Sequence, residues 1–198
     1  MRYRPGHKDE VRAHMIAAAS RGFRKRGFGG IGVDGLAKEA EATSGAFYGH
    51  FSSKEAAFKE AVVAGIEEVH AAVLSYRAAH GTKWIEAFAD FYLGYKRVCD
   101  LGESCSMQSL SLEVARSDTD IRSAYEAGMV KVADAAAQGL EGGTLAERKQ
   151  RAWALLSILS GGVTLARAVA DEGVSSGIAD AVKSAAIQAA GAASASPA

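Results

Sequence analysis

Proline is nearly missing from this chain: only Pro5 and Pro197 occur, both near the ends of its 198 residues. Between them no ring removes a backbone donor, so nothing of that kind interrupts helix. Cysteine is as scarce, and Cys99 and Cys105 cannot make a disulfide framework. No run of 18 or more apolar residues occurs, which argues against a membrane-spanning helix. The opening MRYRPGHKDE has no apolar core of a signal peptide, so a soluble, cytoplasmic protein with no membrane partner is expected. Period-two runs of Val, Ile and aromatics are missing too, while Ala, Leu, Glu, Lys and Arg dominate. An all-α fold follows. The five histidines, His7, His14, His50, His70 and His80, make no H-E-x-x-H pattern. Glu67 and His70 supply one E-x-x-H, but a di-iron bundle needs that pair twice, with two more inward carboxylates. No serine nucleophile elbow is read, and no enzyme, metal or cofactor is expected.

What is present is unevenly distributed. The formal net charge is zero, yet residues 1–55 carry ten Lys and Arg against six Asp and Glu, while residues 56–198 carry thirteen against seventeen. A basic head of +4 on an acidic body of −4 suits a protein that meets a polyanion at one end. The length allows one sizeable core, or a small module packed on a larger one.

Hydrophobic spacing predicts a first helix from about Asp9 to Lys25, with Ile16, Ala19 and Phe23 on one face. A glycine-dense stretch, GFGGIG, ends it. Gly27, Gly29 and Gly32 match G-x-G-x-x-G, but that fingerprint needs a strand before it and a helix opening on it. These glycines therefore read as a helix end and a tight turn. A short helix follows from Val33 or Asp34. Thr43 is a good N-cap for another, Ser44 to about Gly49, and Ser52 or Ser53 caps a long one. Along that long helix Phe58, Val62, Ile66, Val69 and Val73 form one stripe. Further helices are predicted near 84–96, 103–115, 118–138, 145–170 and 177–190, with a small, polar tail.

Two short helices joined by a three- or four-residue turn in the basic third of the chain suggest a helix-turn-helix. Its second helix would enter the major groove while the first supports it. Ser44, Gly45 and Ala46 are small enough to let that helix approach base edges. Thr43 and Ser44 could bond to bases or phosphates, and Tyr48, His50 and Lys54 to phosphates. The plainer alternative is a buried Tyr48, a solvent-facing Lys54 and a satisfied His50.

The ordered run Phe23, Gly27, Phe28, Val33, Leu36, Ala37, Ala40, Thr43, Gly45, Ala46, Phe47, Tyr48, His50, Phe51, Lys54, Glu55 closely resembles the N-terminal domain of the TetR family of bacterial transcriptional regulators. The family pattern A-G-V-S-x-G-x-L/F-Y-x-H-F-x-S-K-E-x-L stands here as AEATSGAFYGHFSSKEAAF, residues 40–58. The resemblance covers about residues 10 to 58. It implies a three-helix DNA-binding domain, residues 1–54, on a helical ligand-binding and dimerisation domain, residues 55–192. It also implies roles at matching positions. Thr43 caps and contacts DNA, Gly45 permits close approach, Tyr48 and His50 touch the DNA backbone, and Lys54 opens the connecting helix. Phe47 and Phe51 are core. Arg2, Arg4 and Lys8 resemble a basic arm reaching the minor groove. Five positions depart from the pattern: Glu41 replaces the turn glycine, only Ala42 follows it where a larger apolar residue is usual, Gly32 replaces the capping Thr, Gly35 sits inside the supporting helix, and Ser44 stands at an often basic or polar position. A weakly self-stabilised head is expected.

The body must then supply sensing and dimerisation. Trp84, Phe88, Phe91, Tyr92 and Tyr95, with Met107 and Tyr125, are candidates for an effector cavity or simply for core. Phenolic groups suit an apolar or aromatic ligand with a polar tip. Residues 147–170 are apolar on more than one face. Leu155, Ile158, Gly162, Leu165 and Val169 make one stripe, and Trp153, Leu156, Ser160 and Val163 make another, assigned to the dimer. With the next helix this suits a four-helix bundle across a two-fold axis. Residues 102–116, GESCSMQSLSLEVAR, are similar to the G-C-x-x-x-x-L-x-x-E segment of a family branch with electrophile- and redox-responsive members. Ser104 stands where that pattern has Gly, and Cys105 is either a structural or a sensing thiol. The expected function is a homodimeric, ligand-responsive repressor on a palindromic double-stranded DNA operator. The alternatives are an interaction module that has lost operator binding, or a repressor sensing redox state through Cys105.

Overall fold

The computed structural model describes residues 7–191, among which every regular element is helical. Three helices make the head: α1, His7–Gly30; α2, Val33–Glu39; and α3, Ser44–Tyr48. α1 breaks at Gly27, whose φ of 69° suits glycine alone among the common residues, so the glycine-dense stretch is a stop. Ser53 caps α4, Lys54–His80, its hydroxyl accepting from Ala56 N at 3.1 Å. At 27 residues α4 is about 40 Å long, and it joins head to body.

The predicted stripe of α4 is the spine of both cores. Phe58 and Val62 pack with Phe23, Leu36, Phe47 and Phe51 in the head, whereas Ile66, Val69 and Val73 pack with body residues. Each such buried side chain contributes roughly 1.5–3 kcal/mol of transfer free energy. The head core also takes in Leu110, Val114 and Ile121 from the body. The expected boundary at residue 54 is thus the start of a helix and not a break in packing.

Body helices are α5, Trp84–Leu93; α6, Tyr95–Val98; α7, Ser106–Ser109; α8, Ser111–Ala115; α9, Thr119–Gln138; α10, Leu145–Ala168; and α11, Glu172–Ala190. Two stretches predicted as single helices are broken. Gly94 separates α5 from α6 with φ −83° and ψ −86°. Between 103 and 115 serine hydroxyls turn back onto carbonyls four residues earlier, Ser109 on Cys105 at 2.9 Å and Ser111 on Met107. Such bonds compete with the helix ladder and bend it. α11 starts five residues earlier than predicted because the Asp171 carboxylate caps it, accepting from Val174 N at 2.8 Å.

Candidate nucleic-acid interface and effector cavities

The head presents α3 at the surface. The Thr43 hydroxyl accepts from Ala46 N at 3.2 Å, as an N-cap should. Phe47 turns inward onto Phe51, with ring centroids 4.9 Å apart. The outer side is left to Thr43, Gly45, Ala46 and Tyr48, the last 58% exposed. A Cβ on Gly45 would meet nothing but the Thr43 hydroxyl, at 3.8 Å. That leaves room for another molecule to approach its backbone. Ser44 is tied to α2, its hydroxyl donating to Asp34. His50 is half-buried, and the Lys54 ammonium sits 4.3 Å from the centre of the Phe28 ring. The turn into α3 carries the one non-glycine positive φ among the described residues, 53° at Glu41. α2 has no side-chain cap, since Gly32 holds that position.

The head meets the body through α1. Arg24 is 9% exposed and donates to Ser104 O at 2.9 Å and to the Ser20 hydroxyl at 2.7 Å, while pairing with Glu68 of α4 at 3.4 Å. Lys25 pairs with Asp100 at 3.4 Å. The segment that precedes Cys105 is therefore hydrogen-bonded to the head's first helix.

Two cavities flank that segment. A partly open one of about 510 Å³ lies among α7–α10, walled by Met107, Tyr125, Met129, Trp153, Leu156 and Ser160. Tyr125 and Ser111 share a 2.7 Å hydrogen bond at its edge. A smaller one of about 180 Å³ lies among α4, α5 and α7, lined by Gly65, Phe88, Phe91, Tyr92, Lys96 and Cys105. Burial pushes the Tyr92 phenol well up, the neighbouring Cys105 adding to the rise and Ser160 opposing it. No partner meets its hydroxyl in hydrogen-bonding geometry. Burial also pushes the Cys105 thiol up, with the nearby Tyr92 hydroxyl and backbone N–H groups opposing the rise. A thiol so placed is protonated at neutral pH and a poor nucleophile.

Comparison with known proteins fixes the family. The profile of bacterial regulatory proteins, tetR family, matches residues 15–61. The transcriptional repressor NemR of Escherichia coli strain K12 is 33% identical over 142 residues, 68% of this chain and 69% of NemR. The chain belongs to the TetR family. It is a helix-turn-helix transcriptional regulator. The repressor DhaR of a Mycobacterium species is 24% identical over 105 residues, about half of each chain. In fold, the reduced form of E. coli NemR superposes with a TM-score of 0.72 at 24% identity, covering 88% of this chain and 96% of NemR. A TetR-family regulator from Cytophaga hutchinsonii reaches 0.76 at 15% identity, covering 94% and 98%.

Within this TetR-family chain the structure redistributes several predicted site residues. Thr43, Gly45, Ala46 and Tyr48 are all exposed, and Arg4 lies outside the described residues. The predicted aromatic cavity set divides. Met107 and Tyr125 wall the larger cavity, while Phe88, Phe91 and Tyr92 wall the smaller. Trp84 lines neither; it is core, its indole N–H donating to Gly139 O at 2.8 Å. Tyr95 lines neither and is exposed, stacked on Phe91 at 5.7 Å. The dimer stripe needs correction. Leu156 and Val163 are 1% and 0% exposed inside the subunit, so they cannot meet a second chain. The outward face of α10 carries Trp153, Ser157, Gly161, Thr164 and Leu165, with Ser160 half-buried at its edge. Arg24, Asp34, Ser111 and Met129 were not predicted. One pattern was overlooked: Gly173–Gly177 reads G-x-S-x-G. It lies inside α11 with Ser175 buried and donating to Ala166 O, so it presents no nucleophile.

Proposed function

We propose that the chain acts as a homodimeric, non-catalytic repressor that leaves a palindromic operator when a small apolar or aromatic molecule with a polar tip occupies the body. The similarity to NemR and DhaR, both transcriptional repressors, supports the sign of regulation. The dimer is supported by the outward apolar and small residues of α10, and by the geometric need of two heads to meet two half-sites about one helical turn apart. A helical body with no helix among the described residues long and apolar enough to cross a membrane supports action in the cytoplasm.

One observation carries the mechanism: Arg24 holds α1 to Ser104, and Ser104 adjoins Cys105 to Met107, which wall both cavities. An occupant that displaces this segment acts directly on the helix that positions α2 and α3. Occupancy then shifts the population between head spacings that match the operator and those that do not. Titrating the protein against its own upstream DNA, with and without apolar and aromatic candidates, tests this. Absence of salt-sensitive, sequence-selective binding under every condition refutes operator binding and favours an interaction module. Alanine at Tyr48 or Lys54 should weaken binding about equally on all sequences, with the lysine change reducing the salt slope by about 1. Cys105→Ser separates ligand response from thiol chemistry: the buried, protonated thiol predicts that release by a non-reactive ligand survives the substitution.

A further inference from the structure

The head carries a carboxylate where DNA-binding faces ordinarily avoid one. Asp34 lies in the first turn of α2, is exposed, and accepts a hydrogen bond from the Ser44 hydroxyl at the start of α3. In a helix-turn-helix the first residues of the second helix meet base edges in the major groove. The Ser44 bond therefore carries the Asp34 carboxylate to the place where bases are read. Residues 43–49, TSGAFYG, bring no charge of their own; Asp34 is the charged group hydrogen-bonded to the start of the recognition helix, and the exposed Glu41 stands in the turn before it.

From this juxtaposition we infer that Asp34, held by Ser44, is a specificity-determining residue that reads a cytosine in each half-site. Phosphates repel a carboxylate, so its place in the groove must be compensated by a donor on a base edge. Guanine offers N7 and O6, both acceptors, and thymine offers O4 and a methyl group. Adenine offers its N6 donor beside the N7 acceptor, which opposes a second carboxylate oxygen. Cytosine offers the N4 amino group with only C5–H beside it on its own ring, the one neighbouring acceptor being O6 of the paired guanine. Ser44 spends its one proton on Asp34 Oδ1, and among the described residues Oδ2 takes no hydrogen bond from the protein. That oxygen is the acceptor the cytosine N4 requires. The pair also rejects the wrong bases by repulsion, the form of discrimination that adds least to affinity and most to selectivity.

The inference rests on operator binding, and the experiment separates the two. The full-length protein and its D34A, D34N and S44A variants are each used to select sites from a random double-stranded DNA library, and their melting curves are compared beforehand. The wild type should enrich a symmetric site with cytosine favoured about tenfold at one position per half-site. D34A should lose that preference while keeping the remainder of the consensus. D34N, which can donate as well as accept, should move the same position toward adenine. S44A should relax it in part. A wild-type consensus without such a cytosine overturns the inference. So does a D34A consensus that keeps it, or a D34A protein that binds all sites more weakly with unchanged preference, since Asp34 would then only brace α2 against α3. If the wild type enriches nothing while remaining folded, operator binding itself has failed and the inference falls with it.

Discussion

The starts of α2 and α10 pose the same physical problem, four backbone N–H groups with no partner inside the helix, and the molecule treats them differently. At α10 the Thr144 hydroxyl accepts from Glu147 N, and the Glu147 carboxylate returns to Thr144 N, a complete capping box. At α2 the capping position is Gly32, with no side chain to offer. The next turn of the head adds Glu41 with a φ of 53°, in a region that costs a non-glycine residue roughly 1–2 kcal/mol. The three long body helices α9, α10 and α11 each have a side-chain cap at their start, from Asp118, Thr144 and Asp171. The head is held by what it packs against: Phe23, Phe28 and Phe58 in mutual edge and stacked contact, Arg12 paired with Glu60 of α4, and Arg24 on Ser104. A regulator gains from this arrangement, because a head that depends on the body for its order also responds to changes in the body.

The largest test of that contrast is Phe58→Ala. It removes a fully buried ring shared by α1 and α4 and should destabilise the protein by about 3–5 kcal/mol. Hydrogen exchange should show α1–α3 losing protection before α10. If both lose protection together, head and body are a single cooperative unit and the contrast is wrong.

Arg24→Met comes next. It keeps most of the buried stem but removes the bonds to Ser104 and Ser20, at a cost near 2 kcal/mol. Its distinguishing effect is on coupling. Operator affinity should stay within about threefold, while release by a cavity ligand should weaken tenfold or more, within the usual range of coupling energies. Fluorescence anisotropy on labelled operator reads both. Equal loss of affinity with intact release would make Arg24 a structural brace for the head.

These residues also mark what could be read from sequence. Thr43, Ser53 and the Gly27 break were legible because caps and glycine turns are local, decided by groups within four residues. The departure of Glu41 from the family's turn glycine is visible in the sequence, but its positive φ is seen only in the structure. The faces of α10 were not legible. That helix is apolar nearly all round, so spacing alone could not tell that Leu156 and Val163 point inward beside Leu155 and Leu159 while Trp153 points out. Arg24 was illegible for another reason: its partner Ser104 is 80 residues away, and RGFRKR reads simply as the basic end of a helix. Asp34 and Ser44 were each visible, but only the fold brings them together.

About 1 kcal/mol is at stake at two positions, with opposite signs. Thr144→Ala should cost about 1 kcal/mol by opening the capping box. The box also brings acid sensitivity. Hydrogen bonds from the Thr144 N–H and hydroxyl hold the Glu147 carboxyl below its ordinary value. Its contribution is present above the unfolded value of about 4.3 and is lost as pH falls through the lower folded value. Thr144→Ala removes the hydroxyl's share and keeps the N–H bond, so it should flatten the acid limb of the stability curve in part. Glu41→Gly should instead raise stability by about 1 kcal/mol, since the strain it relieves exceeds the extra chain entropy of glycine. That is an increase of about 2–4 °C in melting temperature for a chain of this size. A decrease would mean that Glu41 makes a compensating contact with the head.

The smallest expected effect is also the most specific to the comparison. Gly32→Ser gives α2 the cap that α10 already has. The backbone is ready for it: φ at residue 32 is −91°, open to any L-residue, and a Cβ there would meet no atom within 4 Å. A serine hydroxyl would accept from the second or third N–H of α2, a gain of only a few tenths of a kcal/mol over glycine. The melting temperature should hardly move, because α2 is held chiefly by Leu36 and Ala37 against the head core. The local readout is different. If the head is ordered mainly by its packing on the body, amide exchange in α2 should slow without a matching change in α1 or α4. A rise in global stability of 1 kcal/mol or more would show that the missing cap limits the whole molecule. The difference between the two ends would then lie in this single residue and not in how each end is packed.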